Sequence, residues 1–250
     1  MPKPHFVPLD PIKHKDVRLI HDDAFSHAEA FNFVNVGFNE IATLSGCMPL
    51  VIIDTEQGSP LTLACCLGFE GFGNVFCSGQ KWLGHAVPLS IQCHPFNYAI
   101  DEHKVKVLID ESCKRVTQDT NNSTALFSSD GQPSSLLKQQ QENLATLLNG
   151  QQQAQAFVDV LKQHDLLSPL SISITLNSGQ TLHTHGLYSI DENKFAQLKP
   201  ETVIQFHKEG ISMAINAMLL SLRQYNRLVQ LTQTFEDPAM KVGIKLESSQ

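Results

Sequence analysis

The sequence has few charged side chains and little positive charge. Of its 250 residues, 17% are charged, and 18 Lys and Arg stand against 25 Asp and Glu, which gives a formal net charge of −7. It contains no run of Lys or Arg that would neutralise several phosphates of a nucleic acid. The composition therefore argues against nucleic-acid binding as the function.

Long hydrophobic segments are also lacking. The most hydrophobic window, residues 211–222, is about half of the roughly 20 residues that cross a bilayer, and polar residues interrupt it. We therefore predict no transmembrane span, which excludes a permease.

The first residues, with Pro2, Pro4 and Pro8, have no continuous apolar core and do not resemble a secretory signal. The cytoplasm is the expected location.

Paired cysteine motifs are missing. All six cysteines lie in the first half of the chain, and none belongs to a Cys-x-x-Cys pair. The adjacent Cys65 and Cys66 would point to opposite faces of a strand, so they are poorly placed to hold one metal ion. Because no secretion signal places them in an oxidising compartment, we predict buried or partly buried free thiols.

Motifs of nucleophilic catalysis and phosphate binding are missing too. The sequence has no Gly-x-Ser-x-Gly elbow, and the adjacent Cys93 and His94 are not expected to face each other. The glycine-rich residues 68–74 are followed by a strand-like segment instead of a helix, which favours a tight connection over a phosphate loop. The sequence shows no assembled catalytic set and favours a non-catalytic protein.

The sequence does contain three strong hairpin patterns. Apolar and small polar residues alternate in residues 166–176 and 181–190, with turn residues between them, which predicts a β-hairpin. Residues 49–69 and 96–110 predict two more hairpins. Short helices are predicted for residues 37–45 and 87–93, and Pro95 ends the second.

Longer helical patterns lie in the second half of the chain. Residues 136–148 and 151–164 predict two helices, with Asn149-Gly150 as the stop between them. Residues 202–229 carry the longest apolar pattern, which predicts a helix that covers the bare face of the last hairpin. We therefore predict an α+β fold of antiparallel β-hairpins with helices packed on one side and the long C-terminal helix central.

The chain is long enough to bury a substantial core, since 42% of its residues are hydrophobic. We interpret residues 1–250 as a single domain. Within it we predict an extended arm at residues 1–23, a flexible polar loop at residues 112–135 and a polar tail at residues 230–250.

Two histidines on a predicted strand are the best metal candidates. Residues two apart on a strand point to the same face, so His183 and His185 are able to bind one ion together. A third ligand would come from elsewhere, with His207 or His94 as candidates. The alternative is that the solvated face of a hairpin simply carries polar residues. We predict no cofactor, with this metal site as the alternative.

An aromatic group surrounds the single tryptophan. Phe69, Phe72 and Phe76 are close to Trp82 in sequence. If part of this group is exposed, it is a hot spot for a protein partner, whereas full burial makes it core. We predict a partner-binding role for Trp82, Phe72 and Phe76.

Several segments, in their order and spacing, resemble the SapC family of bacterial proteins. They are His14-Lys15-Asp16-Val17-Arg18-Leu19, Asn74-Val75-Phe76 before Trp82-Leu83-Gly84, Val87-Pro88 leading to His94-Pro95-Phe96, and Leu126-Phe127 through Asp130-Gly131-Gln132-Pro133-Ser134; further along the chain, residues 166–170, 186–195 and 210–222 also match. The resemblance spans almost the whole chain. It departs at His185, where an acidic residue is expected, and at residues 68–73, which are unusually rich in glycine and phenylalanine.

This resemblance implies a biological setting but no catalytic residues. The family takes its name from a surface-array (S-layer) associated protein and is not the peptide-transporter permease of the same name. Its members also occur beside flavin-dependent tryptophan-halogenase-like proteins, cupin-like hydroxylases and TonB-dependent receptors. His14, Asp16 and Arg18 belong to a matching segment. We predict that they contact a partner or dock the arm through internal salt bridges.

The two lines of argument favour one function and leave two alternatives. We expect a non-catalytic cytoplasmic binding protein that assists a neighbouring tailoring enzyme, such as a halogenase-like or a cupin-like hydroxylase protein. One alternative is a metal-dependent enzyme that uses His183 and His185. The other is a surface-layer component, which only the family name implies.

Overall fold

Twelve strands are assigned in the computed structural model, which describes residues 4–54, 60–101 and 104–247. They are β1 (Phe6–Pro8), β2 (Arg18–Ile20), β3 (Phe33–Asn35), β4 (Leu50–Ile53), β5 (Thr62–Cys66), β6 (Phe96–Asp101), β7 (Lys104–Asp110), β8 (Val116–Thr117), β9 (Ser123–Ala125), β10 (Leu167–Leu176), β11 (Thr181–Ile190) and β12 (Ala239–Leu246).

The described residues also form seven α-helices and four short 3₁₀ turns. The helices are α1 (Ile41–Leu44), α2 (Leu89–Gln92), α3 (Ser135–Gln163), α4 (Glu192–Ala196), α5 (Pro200–Lys208), α6 (Ile211–Ser221) and α7 (Tyr225–Leu231). The 3₁₀ turns are Ser26–Ala28, Phe38–Glu40, Leu222–Gln224 and Thr232–Thr234. Among these helices, none is both long enough and apolar enough to span a membrane.

Antiparallel pairing organises the strands into three sheets within the described ranges. The main sheet has the order β12-β10-β11-β4-β5-β3, and the smaller sheets have the orders β1-β7-β6 and β8-β2-β9. Because the described residues combine antiparallel sheets with several helices, the predicted α+β class is confirmed.

All three predicted hairpins are present. β10 pairs with β11, β4 with β5, and β6 with β7. Along β10, Leu170, Ile172 and Ile174 are buried while the serines between them are partly exposed, as the alternation predicts. Parts of the turns in the other two hairpins, residues 55–59 and 102–103, lie outside the described residues.

At its centre, the main sheet is buried on both faces. Cys65 and Cys66 follow each other in β5 and are 0% and 1% exposed. Cys66 lies beside Tyr225 of α7, whereas Cys65 lies near Glu40 and Cys47 at the ends of α1. Adjacent strand residues face opposite ways, so different segments of the chain pack against the two faces of the sheet. The cysteines are free thiols, as predicted.

Helix α3 is continuous through Gly150, where the sequence predicts a stop. Gly150 is buried against Gly37: a Cβ atom on Gly150 would lie 3.1 Å from the Gly37 Cα and 2.1 Å from Asn39 Oδ1. This close approach of two backbones explains the glycine without a helix end. Packing outweighs the roughly 1 kcal/mol by which a mid-helix glycine is less favourable than alanine.

The predicted C-terminal helix at residues 202–229 is instead divided into α5, α6 and α7. Gly210 has a left-handed backbone (φ +75°) between α5 and α6 and changes the helix direction. The break also changes which face is buried: Ile204 is 56% exposed, whereas Ile211, Met218 and Tyr225 are buried. Within the predicted range, α6 is the helix that packs on β4 and β11 of the main sheet.

The structure adds strands to segments predicted as arm, loop and tail. The arm at residues 1–23 contains β1 and β2, and the polar segment at residues 112–135 contains β8 and β9. The flexibility of that segment stays a prediction. In the tail, β12 was not predicted; it pairs with β10 at the edge of the main sheet. Its Met240 and Ile244 are exposed, so the strand lacks a clear buried alternation.

Helix α3 joins two hydrophobic cores. Its C-terminal half contributes Ala154, Phe157 and Leu161 to the larger core around the main sheet. Its N-terminal half contributes Leu137 and Leu144 to a smaller core under β6 and β7. Ala28 belongs to the larger core and Cys93 to the smaller one, so their neighbours His27 and His94 lie where the two cores meet.

Candidate functional site

Side chains from three loop segments form one aromatic cluster at this junction. We call it the aromatic site and define it by Phe25, His27, Phe76, Trp82 and His94. Consecutive members touch in the order Phe76, Trp82, Phe25, His27, His94, with ring centroids between 3.9 and 6.4 Å apart. The cluster therefore runs from a buried phenylalanine through a half-buried tryptophan to a pair of stacked imidazoles.

Trp82 is held rigidly within the aromatic site. Its ring stacks on Phe76 at 5.4 Å and meets the edge of Phe25 at 5.8 Å. Its indole Nε1 donates a hydrogen bond to the backbone oxygen of Ala86 at 2.8 Å. Gly84 makes room for the indole, since a Cβ there would lie 2.7 Å from Nε1. The polar atom of Trp82 is thus satisfied internally, and its remaining exposed surface is apolar.

His27 and His94 stack face to face, with centroids 3.9 Å apart and planes 10° from parallel. The pKa of His27 is lowered from 6.5 to about 3, first by burial and then by the nearby His94 and Arg115. The pKa of His94 is lowered to about 4, first by burial and then by Arg115. Both rings are therefore neutral at pH 7, as a close stack requires, since two imidazolium ions would repel.

A fixed guanidinium lies beside the two imidazoles. Arg115 Nη1 donates to the backbone oxygen of His94 at 2.9 Å, and Nε donates to that of Ile20 at 3.0 Å. The carboxylate of Asp22 acts in the opposite direction on the pKa of both histidines and raises it. Asp22 itself accepts hydrogen bonds from the backbone N–H groups of Ala24 and Ser26, which shapes the loop that carries Phe25.

Neither ring nitrogen of His27 makes a well-formed hydrogen bond within the part of the chain that the structure describes, although both are buried. The sulfur of Cys113 lies 3.9 Å from His94 Nδ1. Burial raises the pKa of this thiol, so it stays protonated and is a poor nucleophile. Cys93, adjacent to His94 in sequence, is buried with a pKa raised to about 12. Sequence reasoning missed both Cys113 and His27.

The predicted partner-binding aromatics divide between two places. Trp82 and Phe76 are together in the aromatic site, but Phe76 is only 1% exposed, so it supports Trp82 from beneath. Phe72 is half-buried and packs against Phe235 at 5.2 Å and Phe69 at 6.3 Å, in a group that also includes Tyr225. Trp82 and Phe72 are therefore the predicted aromatics that keep some exposed surface, and their contact with a partner stays a prediction.

Two of the predicted arm residues make internal contacts. His14 is 1% exposed; its Nδ1 accepts a hydrogen bond from the Asp10 N–H at 2.9 Å, and its Nε2 lies 3.2 Å from Glu111 Oε1. Arg18 donates to both the hydroxyl and the backbone oxygen of Ser123. Asp16 is exposed and lies 3.9 Å from Lys15. His14 and Arg18 thus dock the arm on the rest of the chain.

His183 and His185 lie on the same face of β11, as their spacing predicts. Their rings are nearly parallel, with centroids 6.3 Å apart, and both side chains are exposed. Across the residues described, no group of three or more His, Cys, Asp or Glu side chains is arranged to hold a metal ion. Metal binding by these two histidines alone stays a prediction.

A buried carboxylate near the aromatic site was also missed by sequence reasoning. Glu40 is 7% exposed; its two oxygens accept from the backbone N–H groups of Gly37 and Leu89, each at 2.8 Å. Burial raises its pKa, and the two hydrogen bonds lower it. Gly37 precedes a 3₁₀ turn and Leu89 begins α2, so Glu40 joins the starts of two helical segments. In the sequence, the one sign of this capping role is that Glu40 lies three residues after Gly37.

The geometry defines a class of protein: an α+β protein in which a half-buried tryptophan is linked through Phe25 to a stacked, half-buried imidazole pair. The sequence model of one protein family, SapC, matches residues 9–228, which is most of the chain, and the protein therefore belongs to the SapC family. No curated protein and no solved structure matches the chain.

Proposed function

We propose that this member of the SapC family is a non-catalytic cytoplasmic binding protein that contacts a protein partner through Trp82. The partner that the family's setting favours is a neighbouring tailoring enzyme, either a flavin-dependent halogenase-like protein or a cupin-like hydroxylase. The observation that carries the proposal is the rigid support of Trp82 by Phe76, Phe25 and Ala86.

A tryptophan fixed in this way suits protein recognition. Binding usually costs side-chain entropy, because flexible groups become ordered at the interface. Trp82 has already lost that freedom, and its indole N–H has a partner within the chain. Its exposed apolar edge is then able to enter a partner's pocket without leaving a polar atom unsatisfied, and tryptophan is among the residues most enriched in interface hot spots.

The histidines of the aromatic site and the cysteines beside them favour binding over nucleophilic catalysis. The two imidazoles are neutral and stacked on each other, and burial keeps the thiols of Cys113 and Cys93 protonated. A catalytic cysteine needs the opposite, namely a thiol whose pKa is lowered by a neighbouring cation or helix end.

Helix α6 offers additional apolar surface. Met213 is 67% exposed and Leu220 is 62% exposed. Their separation of two helical turns places them on one side of α6, opposite the buried Ile215 and Met218. Exposed apolar side chains of this size are typical of protein contact surfaces when they occur together.

A tagged pull-down from the soluble and envelope fractions of the native host, read by mass spectrometry, tests the proposal. We expect a halogenase-like or hydroxylase-like protein to be recovered from the soluble fraction by the wild type and lost with Trp82→Ala. Ile12→Ala, which removes a side chain that is 82% exposed, is the matched control and is expected to retain the partner. Recovery from the envelope fraction alone would favour the surface-layer alternative and contradict the proposal.

A further inference from the structure

The solvent face of the last three strands of the main sheet has an unusual profile. Along β10 this face presents the short hydroxyl side chains of Ser171, Ser173 and Thr175, which alternate with the buried residues. In register with them, β12 contributes Lys241 and Lys245 on one side. On the other side, β11 contributes His183 opposite Ser173, and His185 on the same face. We call this surface the hydroxyl trough.

Side-chain length gives the trough its shape. Its floor consists of hydroxyls one bond from the Cβ, whereas its sides are lysines and histidines that reach several ångströms further. At the middle of β12, Gly243 pairs with Ser173 and has no side chain. The Ser173 hydroxyl leans over that backbone, since a Cβ on Gly243 would lie 2.6 Å from Ser173 Oγ. The result is a shallow depression along residues 171–175 of β10, between the two register irregularities of this strand.

The chain itself shows which chemical group the floor accepts. At one end of the trough, Ser171 Oγ donates a hydrogen bond of 2.6 Å to the Glu247 carboxylate. Further along, Ser173 and Thr175 make no side-chain hydrogen bond, and Lys241 and Lys245 form no ion pair, with any residue that the structure describes. Two ammonium groups and two hydroxyls are therefore available for further carboxylates.

The shape and chemistry of the trough select one kind of ligand. Its described residues include no phenylalanine, tyrosine or tryptophan, on which sugars or nucleobases would stack. The large side chain on this face, Tyr188, is half-buried and pairs with Pro169, beyond the Ser171 end of the trough. The two lysines also stand out against a protein whose net charge is −7. A depression along a strand, with hydroxyls below and cations at the side, complements an extended chain that carries carboxylates.

We propose that the hydroxyl trough binds an extended acidic segment of a protein partner, rich in Asp or Glu. Carboxylates of that segment accept hydrogen bonds from Ser173 and Thr175. They also pair with the ammonium groups of Lys241 and Lys245. The Glu247 carboxylate competes with the segment for the hydroxyl of Ser171. The trough shares no residue with the aromatic site. A test of acidic-segment binding by the trough is therefore independent of a test of the contact that we assign to Trp82.

Fluorescence anisotropy with a labelled octaglutamate peptide tests this site, and octaglutamine serves as the uncharged control peptide. We expect the full-length wild type to bind octaglutamate and not octaglutamine. The double variant Lys241→Gln/Lys245→Gln is expected to bind about tenfold more weakly. The matched control Lys162→Gln/Lys208→Gln, which removes two exposed lysines from helices α3 and α5, is expected to bind as the wild type does.

Two further variants separate a built site from general charge attraction. Ser173→Ala/Thr175→Val leaves the charge unchanged and removes both hydroxyls, so it is expected to weaken binding about threefold. Glu247→Gln removes the internal competitor and is expected to tighten binding about threefold. Trp82→Ala is expected to bind octaglutamate normally. A thermal melt of each variant confirms that it is folded.

Several results would overturn the proposal. They are no binding of octaglutamate by the wild type, equal losses in the two lysine double variants, no effect of removing the hydroxyls, and no gain with Glu247→Gln. Tighter binding of an eight-nucleotide single-stranded DNA, or of vesicles with anionic lipid, would assign the trough to a different class of ligand and would also reject it.

Discussion

Glu40 and His27 both have polar atoms that are shielded from water, and they are stabilised in different ways. Glu40 is held by two backbone N–H groups, so the cost of its burial is largely offset. His27 is half-buried, with both ring nitrogens shielded from water and without a well-formed hydrogen bond among the residues described, and it avoids the cost of a buried charge by remaining neutral. Each group leads to a prediction about stability.

Replacing Glu40 by glutamine should destabilise the fold. The amide nitrogen would place a donor against a backbone N–H that now donates to a carboxylate oxygen. We expect the free energy of unfolding, measured by urea titration, to fall by about 1–3 kcal/mol. Glu70→Gln, at an exposed position, is the control and should change stability very little. Equal stabilities of the two variants would show that the Glu40 carboxylate does not stabilise the starts of the two helical segments.

The histidine pair predicts a loss of stability in mild acid. The pKa values of His27 and His94 are about 3 and about 4 in the folded protein, below the ordinary value of 6.5. As the pH falls through about 6.5, the unfolded chain binds protons that the folded chain does not. The free energy of unfolding should therefore decrease from about pH 6.5 to pH 5, above the range in which most carboxylates titrate.

The His27→Phe variant isolates this effect, because phenylalanine keeps a flat ring in the stack and does not titrate. Urea titrations at pH 7, 6 and 5 should show a smaller decrease for this variant than for the wild type. The control His183→Gln, at an exposed histidine, should follow the wild type. If His27→Phe and the wild type lose stability equally, the stacked histidine pair does not govern stability in this pH range.

At the scale of elements, the sequence predicts structure well where the signal is local. The three hairpins depend on alternation and on turn residues that are neighbours in sequence, and all three were predicted. The helices were predicted less well, because glycine has two uses. Gly150 allows close packing inside α3, whereas Gly210 adopts a left-handed backbone between α5 and α6. A sequence pattern alone does not separate these uses.

Substituting Gly150 distinguishes packing from helix propensity. Propensity alone predicts that Gly150→Ala stabilises α3 by about 1 kcal/mol. Because the new Cβ would approach the backbone of Gly37, we expect a net loss of about 1–3 kcal/mol in the free energy of unfolding. The neighbour Asn149 is exposed, so Asn149→Ala should gain about 0.5 kcal/mol. A stabilised Gly150→Ala variant would contradict the packing that we describe.

At the scale of the whole molecule, long-range contacts decide what the sequence does not predict. His27, His94 and Cys113 are far apart in sequence and meet only because two cores adjoin along α3. The contact of Trp82 with Phe76 was predictable, since the two are close together in an aromatic-rich stretch of the sequence. Its support by Phe25 was not, because Phe25 belongs to a loop that Asp22 shapes. β12 was missed because an exposed edge strand has a weak alternation.

The central claim is that Trp82 anchors a protein partner, and isothermal titration of the recovered partner tests it most directly. Wild type, Trp82→Ala and the surface control Ile12→Ala would be compared, each first shown to be folded by its thermal melt. We predict that Trp82→Ala weakens the affinity by about thirtyfold, the loss expected for an interface hot spot, while Ile12→Ala binds as the wild type does. An affinity of Trp82→Ala equal to that of Ile12→Ala would contradict the claim.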